Sequence, residues 1–179
     1  MSYRKPVISI WEFIRTGKFG AVALGWTTEQ VEQYFFAPDD KSTMHHAMEI
    51  WRYSTFELHF CEGKLFLFWC DGLPWLTRPN KRKFSLNKGL LRNYKRLSVK
   101  KCCAELERLG LDYQLFARYF DDQQAADNVQ IRLAQQQVVL HFEPLDECAT
   151  TLGDYRIVAL GASENPNNYK TQAISKEQL

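Results

Sequence analysis

Two stretches of the chain alternate apolar and polar residues, and this alternation constrains the fold more than any other feature. In the run Phe56-Glu-Leu-His-Phe60 every second residue is apolar, which is the pattern of a strand with one face in a core. With the β-rich runs 50–53 and 65–69 it predicts a three-stranded antiparallel meander. A second meander is predicted at residues 113–119, 129–133 and 138–142, followed by one more strand at 155–160.

A helix is predicted before each meander. The run Thr27-Thr-Glu-Gln30 matches a capping box, in which the first threonine hydroxyl and the glutamine side chain bind the free amides of a helix start. Ser98 can cap a second helix, whose apolar stripe ends at Gly110. A shorter helix, capped by Ser9, is predicted through Ile14, with Gly17 after its last turn, and the apolar segment 19–24 predicts a short strand.

The pattern that begins at Phe56 recurs from Val129, so that apolar in-facing positions of one hairpin meet apolar positions of the other. Any two amphipathic hairpins would align in this way, which leaves an internal duplication open. In either case the sequence predicts an α+β fold in which two helix-plus-antiparallel-meander units pack into one body. The expected divisions are a first unit at 1–77, a basic connector at 78–97, a second unit at 98–161 and a mobile, mostly polar tail at 162–179.

Charge is divided unevenly along the chain, although the formal net charge is only +2. Residues 78–101 hold ten Lys and Arg and no acid, whereas residues 105–154 hold ten acids and three Arg. The near-neutral total therefore combines a basic segment with an acidic second unit.

The basic segment interleaves cations with aromatic residues, a combination that neutralises phosphates and stacks on bases. It predicts contact with nucleic acid or with an acidic partner, although a charged linker can also serve only to stay solvated. The candidate residues are Lys81, Arg82, Lys83, Arg92, Tyr94, Lys95 and Arg96.

The acidic second unit predicts a negative rim, because many of its acids fall in predicted loops or at strand ends. Such a rim would steer a basic protein partner and fix its register. Trp51 and Trp75 are candidate anchors for that partner, and core packing is the alternative role for both. The candidate rim residues are Asp121, Asp122, Asp127, Asp146 and Glu147.

No catalytic, metal or cofactor site is predicted. His45-His46 with His59 and Cys61 offers ligands that zinc accepts, but the last two are expected on the outer sheet face, away from the core. Cys102 and Cys103 fall on the apolar stripe of their helix, which would bury them rather than activate them.

The cysteine count is odd, at five, and no CxxC spacing occurs, which is typical of reduced thiols in an intracellular protein. The N-terminus lacks a signal-peptide pattern, and the longest apolar run, Leu65–Cys70, is too short to span a membrane. We therefore expect a cytoplasmic protein without a membrane contact.

The first unit also carries a run of turn and core residues that resembles a family of small bacterial α+β proteins. Several of these are similar to immunity proteins encoded beside polymorphic or contact-dependent toxins. The resemblance covers about residues 8–70 and more faintly 98–143, and it gives the basic segment no counterpart. The stretches that carry it are Phe13-Ile-Arg-Thr-Gly-Lys-Phe-Gly20, Leu24-Gly-Trp-Thr-Thr-Glu-Gln-Val31, Pro38-Asp-Asp40, Ile50-Trp-Arg-Tyr53, Phe56-Glu-Leu-His-Phe60 and Gly63-Lys-Leu-Phe-Leu67.

The resemblance implies a non-enzymatic protein that binds another protein, and it assigns no catalytic residue. Our leading expectation is an immunity protein whose acidic loops mask a basic toxin domain. The alternative is a nucleic-acid-binding module that uses the basic segment 81–96.

Overall fold

The computed structural model describes residues 6–44, 47–53, 55–76, 84–119, 126–146, 149, 151–164 and 171–176 of the 179-residue chain. The α-helices within these residues are α1 (Ile10–Thr16), α2 (Thr28–Tyr34), α3 (Leu73–Leu76) and α4 (Val99–Arg108). The strands of the first half are β1 (Val7–Ser9), β2 (Asp40–Met44), β3 (Met48–Arg52), β4 (Glu57–Cys61), β5 (Lys64–Cys70) and β6 (Ser85–Asn87). Those of the second half are β7 (Gln114–Arg118), β8 (Asn128–Leu133), β9 (Val138–Pro144), β10 (Tyr155–Ser163) and β11 (Gln172–Ile174).

A nine-stranded antiparallel sheet dominates the fold, in the order β11-β7-β8-β9-β10-β5-β4-β3-β2. The predicted α+β class is confirmed. Helix α2 precedes the meander β2–β5, and α4 precedes the meander β7–β10. The two meanders join where β10 pairs with β5, from Leu160 opposite Cys70 to Ser163 opposite Leu67. Both units therefore share one continuous sheet.

Strand β2 (Asp40–Met44) was not expected, because its residues are mostly polar and exposed and carry no apolar alternation. It forms the edge of the sheet beside β3, where polar side chains suit a strand with one free side. With β2 included, each unit has four strands, and β4 occupies the place in its half that β9 occupies in the other. The sequence alignment of Phe56 with Val129 instead matches β4 to β8, one strand away from this arrangement.

The inner face of the large sheet packs against the helices and forms the core. The alternating residues predicted to face inward, such as Leu58, Phe60 and Ile131, are buried there. Helix α1 contributes Phe13 to an aromatic cluster in which the Phe68 ring lies 5.2 Å from that of Phe13, 4.1 Å from Phe19 and 5.5 Å from Phe56. Large buried rings therefore hold the first unit together.

The predicted helix caps are confirmed. The Ser9 hydroxyl accepts from the amide of Glu12, Thr27 and Gln30 form both bonds of the capping box, and the Ser98 hydroxyl accepts from the amide of Lys101. The strand predicted at 19–24 is wrong, since Phe19 and Val22 pair only with each other across a tight turn. Gly20, at φ +67°, reverses the chain there.

The predicted connector is part of the folded body where it is described. Strand β6 pairs in parallel with β1, and residues Gly89–Arg96 form a kinked 3₁₀ helix, the connector helix, with Leu90 and Leu91 buried. Residues 78–83 lie outside the described part of the chain.

The tail expected from residue 162 contains two paired segments that the sequence did not indicate. Strand β10 continues to Ser163, and β11 pairs with β7, where Ile174 lies opposite Leu115. Backbone hydrogen bonds to an existing strand edge order these residues despite their few apolar side chains. Across all described residues, no helix has the length and apolar character to cross a membrane.

Candidate functional site

Acidic side chains lie just after β5 and at one end of strands β7 to β10, in the turns or at the strand ends. Strands β7 and β9 finish at this end and β8 and β10 begin there, since Arg118 lies opposite Asn128 and Pro144 lies opposite Tyr155. We call this group the acidic end, and its described carboxylates are Asp71, Asp127, Glu143, Asp146 and Asp154.

The structure brings two of the five predicted rim residues, Asp127 and Asp146, to the acidic end. Asp127 Oδ2 accepts from Arg118 Nε at 2.9 Å and from its terminal nitrogen at 2.7 Å, so this carboxylate is already paired. Asp146 is exposed in the turn after β9. The other predicted rim residues, Asp121, Asp122 and Glu147, lie outside the described residues.

Two large apolar side chains stand exposed beside these carboxylates. Leu145, next to Asp146, is 59% exposed, and Tyr119, which follows β7, is 37% exposed. Asp154 is held in its turn because its Oδ2 accepts from the amide and the hydroxyl of Thr151, each at 2.9 Å. Apolar area next to fixed negative charge is typical of a surface that binds a protein.

A pocket of about 350 Å³ opens on the outer sheet face at the acidic end. A β-bulge in β10, between Ile157 and Ala159, lies at its wall. Its remaining lining comes from β5, β7, β8 and β9, in the form of Trp69, Asp71, Arg118, Asn128, Gln130, His141 and Glu143. We call it the outer pocket.

The outer pocket was not predicted from the sequence. Asp71 and Glu143 could be recognised only as acids on outer strand faces, which are normally just solvated. The register of β10 against β5 brings them to one pocket, and no local pattern encodes a pairing between such distant segments.

His141 lies on the outer face of β9, opposite Gln130 of β8 and Ala159 of β10. It is only 8% exposed, and its ring meets that of Trp69 edge to face at 4.8 Å. Burial, with the charges of Arg132 and Arg118, lowers its pKa to about 4. The imidazole is therefore neutral near pH 7.

A buried arginine on the same sheet face supports the pocket floor from the side. Arg132 is 5% exposed, and its guanidinium donates to Gln130 Oε1 at 2.8 and 3.0 Å and to Thr171 Oγ1 at 2.7 Å. The same guanidinium stacks over the Phe116 ring at 3.9 Å. These contacts hold Gln130 in a fixed orientation beside His141.

A second surface carries the described part of the predicted basic segment. Cations line the connector helix and the first turn of α4, and all of them are exposed except the half-buried Lys88. Among the described residues, none of them lies within ion-pair distance of a carboxylate. We call this surface the basic face, and its cations are Lys88, Arg92, Lys95, Arg96, Lys100 and Lys101.

A cleft of about 660 Å³ crosses the basic face. Trp11, Asn93 and Arg96 line it, together with Arg92 and Lys101. Tyr94, a predicted contact, is half-buried and packs against the core. The predicted contacts Lys81, Arg82 and Lys83 fall in a stretch that the structure leaves undescribed.

The other candidate sites supply no cluster of ligands. Of the predicted zinc ligands, His45 and His46 are not among the described residues, Cys61 is exposed, and His59 Nε2 bonds Glu57 at 2.9 Å. No group of three or more potential metal ligands occurs within the described ranges.

The structure also places the two candidate thiols and one of the two candidate tryptophan anchors. Cys102 and Cys103 are buried as predicted, and burial raises the pKa of both. Trp51 belongs to the core. The side chain of Trp75 lies outside the described residues.

Comparison with known proteins adds one structural alignment. No family model matches the sequence, and no curated protein matches it. A crystal structure of an extracellular protein containing an SCP domain, from Bacillus anthracis str. Ames, aligns with a TM-score of 0.43 and 8% sequence identity. The alignment covers 87% of this chain and 51% of that one, so the chain spans about half of that protein's length. Any functional conclusion therefore rests on the two surfaces described above.

Proposed function

We propose that this protein is a non-enzymatic binding protein that uses its acidic end to bind a basic protein partner, and that it acts as an immunity factor for a toxin encoded nearby. One observation carries the proposal: five described carboxylates lie just after β5 and at the neighbouring ends of β7–β10, together with the cations Arg118 and Arg156. Leu145 and Tyr119 expose apolar area at the same place.

The two kinds of side chain have different tasks in such a complex. Carboxylates attract a basic surface over about one Debye length, which raises the rate of association and fixes the orientation of the partner. Burial of Leu145 and Tyr119 then supplies affinity that salt does not screen. An immunity factor needs only this complementarity, because a toxin is neutralised when its active site is covered.

The proposed place of action is the cytoplasm. Cys70, Cys102 and Cys103 are buried free thiols, and burial raises the pKa of Cys70 to about 12. Such thiols are unreactive and suit a reducing compartment.

The proposal predicts a tight complex between the purified protein and the product of a flanking gene. We expect a Kd below about 1 µM at low salt that rises with ionic strength. The double variant Leu145→Ser/Asp146→Asn should raise that Kd at least about tenfold, because it removes apolar area and charge together. Biolayer interferometry against each flanking gene product measures both effects.

The control variant is Val7→Ser/Glu12→Gln, which removes one exposed aliphatic side chain and one exposed carboxylate on β1 and α1. It should bind as the wild type does. Equal binding by the two double variants, or no binding by the wild type to any flanking product, would contradict the proposal.

The basic face supports a second function, binding of nucleic acid. The observation that favours it is that no described carboxylate lies within ion-pair distance of its cations; Glu105, which also lines the cleft, is paired with Arg108. The charge of these cations is therefore available to phosphates. Trp11 and Asn93 in the cleft add a ring and an amide of the kind that contact bases.

For this second function we expect micromolar binding of single strands or duplexes at low salt, measured by fluorescence anisotropy. The variant Arg92→Gln/Arg96→Gln/Lys101→Gln should weaken binding at least about tenfold and reduce the slope of log K against log salt by about 2 to 3, one unit for each lost phosphate contact. The matched variant Arg15→Gln/Lys18→Gln/Lys64→Gln removes the same charge from exposed positions elsewhere. The hypothesis is rejected if the two triple variants behave alike, or if the wild type shows no affinity at low salt.

A further inference from the structure

The outer pocket has properties that the acidic end as a whole does not explain. It is a concave site walled by the Trp69 indole and by the bulged strand β10, and it opens between five strands. Side chains that are nearly inaccessible to water form its floor, with His141 at 8% and Asn128 at 9% exposed. Polar side chains that only face water would not be buried to this extent.

Two buried hydrogen-bond acceptors in and beside the pocket have no partner among the described residues. Asn128 Oδ1 is buried, and no group of the described residues hydrogen-bonds to it. Asp127 Oδ1, on the preceding residue, is also buried without a partner, although Oδ2 of the same carboxylate is bound by Arg118. Since the terminal torsion of an asparagine is soft, the Asn128 amide can turn toward a group that donates to it. The ligand is thus expected to bring donors.

The charges at the mouth of the pocket favour a cation. Asp71 and Glu143 are exposed at its mouth, and among the described residues no cation lies within ion-pair distance of either. The positive charge of Arg118 is matched by Asp127, and His141 is neutral near pH 7. The Arg132 guanidinium lies beside the floor against Gln130, Thr171 and the Phe116 ring, and Arg156, opposite Glu143, donates to the carbonyls of Gly153 and Tyr155. The remaining wall is the Trp69 indole, whose ring face attracts cations.

We propose that the outer pocket binds a guanidinium or ammonium group, held by Asp71 and Glu143 at the mouth, the Trp69 ring at the wall and the Asn128 amide oxygen at the floor. We assign this group to an arginine or lysine side chain of the basic partner. This assignment, but not the chemistry of the pocket, rests on the proposed function. A guanidinium suits the site best, because it is planar, stacks on an indole and presents five donors.

Methylguanidinium and methylurea test the chemistry without any protein partner, because they share one shape and differ in charge. Methylguanidinium, titrated into the isotopically labelled full chain, should shift the Trp69 indole and Asn128 amide resonances to saturation, with a Kd in the millimolar range. Methylurea should shift them at least about tenfold less at the same concentration. Saturable shifts at these two side chains, limited to the cation, are the expected result.

Charge-neutral variants locate the site. Asp71→Asn/Glu143→Gln should weaken methylguanidinium binding about tenfold, whereas Glu62→Gln, which removes an exposed carboxylate at the β4–β5 turn, should leave it unchanged. The proposal is overturned if methylguanidinium, at high concentration and constant ionic strength, shifts neither resonance, or if methylurea binds equally well. It is also overturned if Asp71→Asn/Glu143→Gln and Glu62→Gln bind methylguanidinium with the same Kd.

Two further probes separate the sources of the cation. A capped tripeptide with a central arginine should bind at least as tightly as agmatine if the pocket receives a partner's side chain. Tighter binding of agmatine, by about tenfold or more, supports the pocket chemistry but overturns the assignment to a protein partner. If methylguanidinium binds but no flanking gene product does, the immunity function alone is contradicted. If a flanking gene product binds but methylguanidinium does not, the pocket proposal alone is contradicted.

Discussion

Replacement of Phe68 by alanine should lower the free energy of unfolding by about 4 kcal/mol, the largest loss we expect from a single side chain. The Phe68 ring is buried and contacts three other rings, those of Phe13, Phe19 and Phe56. Its removal loses apolar burial and leaves a cavity that helix α1 and strand β5 could close only by moving toward each other. Urea denaturation followed by circular dichroism measures the change.

Phe66 on the same strand provides the control, because its side chain is only half-buried, where it meets the His59 ring edge to face at 6.3 Å. Phe66→Ala should cost about 1 to 2 kcal/mol, since water already reaches the ring and can fill the space it leaves. If both alanine variants lost the same stability, the aromatic cluster would not be the centre of the first unit.

Replacement of Gly17 by alanine should cost about 3 kcal/mol, for two physical reasons that add. Gly17 ends helix α1 with φ +72°, a conformation in which a Cβ is strained. A Cβ at this position would also lie within van der Waals overlap of the carbonyl oxygen of Gln136, in the turn between β8 and β9. Relief of that overlap requires a shift of backbone, because the obstructing atom is not a side chain.

Gly110 separates the two contributions. It follows helix α4 with a similar φ of +65°, but no atom lies within 4 Å of the position its Cβ would take. Gly110→Ala should therefore cost only the conformational strain, about 1 kcal/mol. A loss at Gly17 no larger than that at Gly110 would show that the α1 terminus does not press against the second unit. Parallel urea titrations of the two variants decide this.

Local signals in the sequence predicted most of the elements. Caps such as Thr27–Gln30 involve neighbours within one helical turn, and alternation such as 56–60 is a property of a single strand. Strand β2 escaped prediction because an edge strand with two solvated sides needs no apolar period. The segment 19–24 was assigned to a strand because apolar character alone does not distinguish a strand from a buried turn.

The candidate sites were less predictable than the elements. The basic face could be recognised because its residues are contiguous in sequence. The outer pocket could not, since it depends on pairings between β5 and β10 and on a bulge in β10 that no local pattern specifies. Asn128 and Gln130 also interrupt no alternation, because they occupy the outward positions where polar residues are expected.

The pairing of β5 with β10 has a consequence for synthesis on the ribosome. Strand β5 ends at Cys70, but its partner β10 begins only at Tyr155, so the first meander emerges with one edge unpaired until almost the whole chain has been made. That edge carries Leu67, Phe68 and Trp69, which are prone to pair with any other exposed strand. Pairing of β5 with β10 is also slow, because the long segment between them must close into a loop before the two strands gain any contact. The first half of the chain is therefore most exposed to misassembly during translation, and arrival of the last long strand ends that exposure.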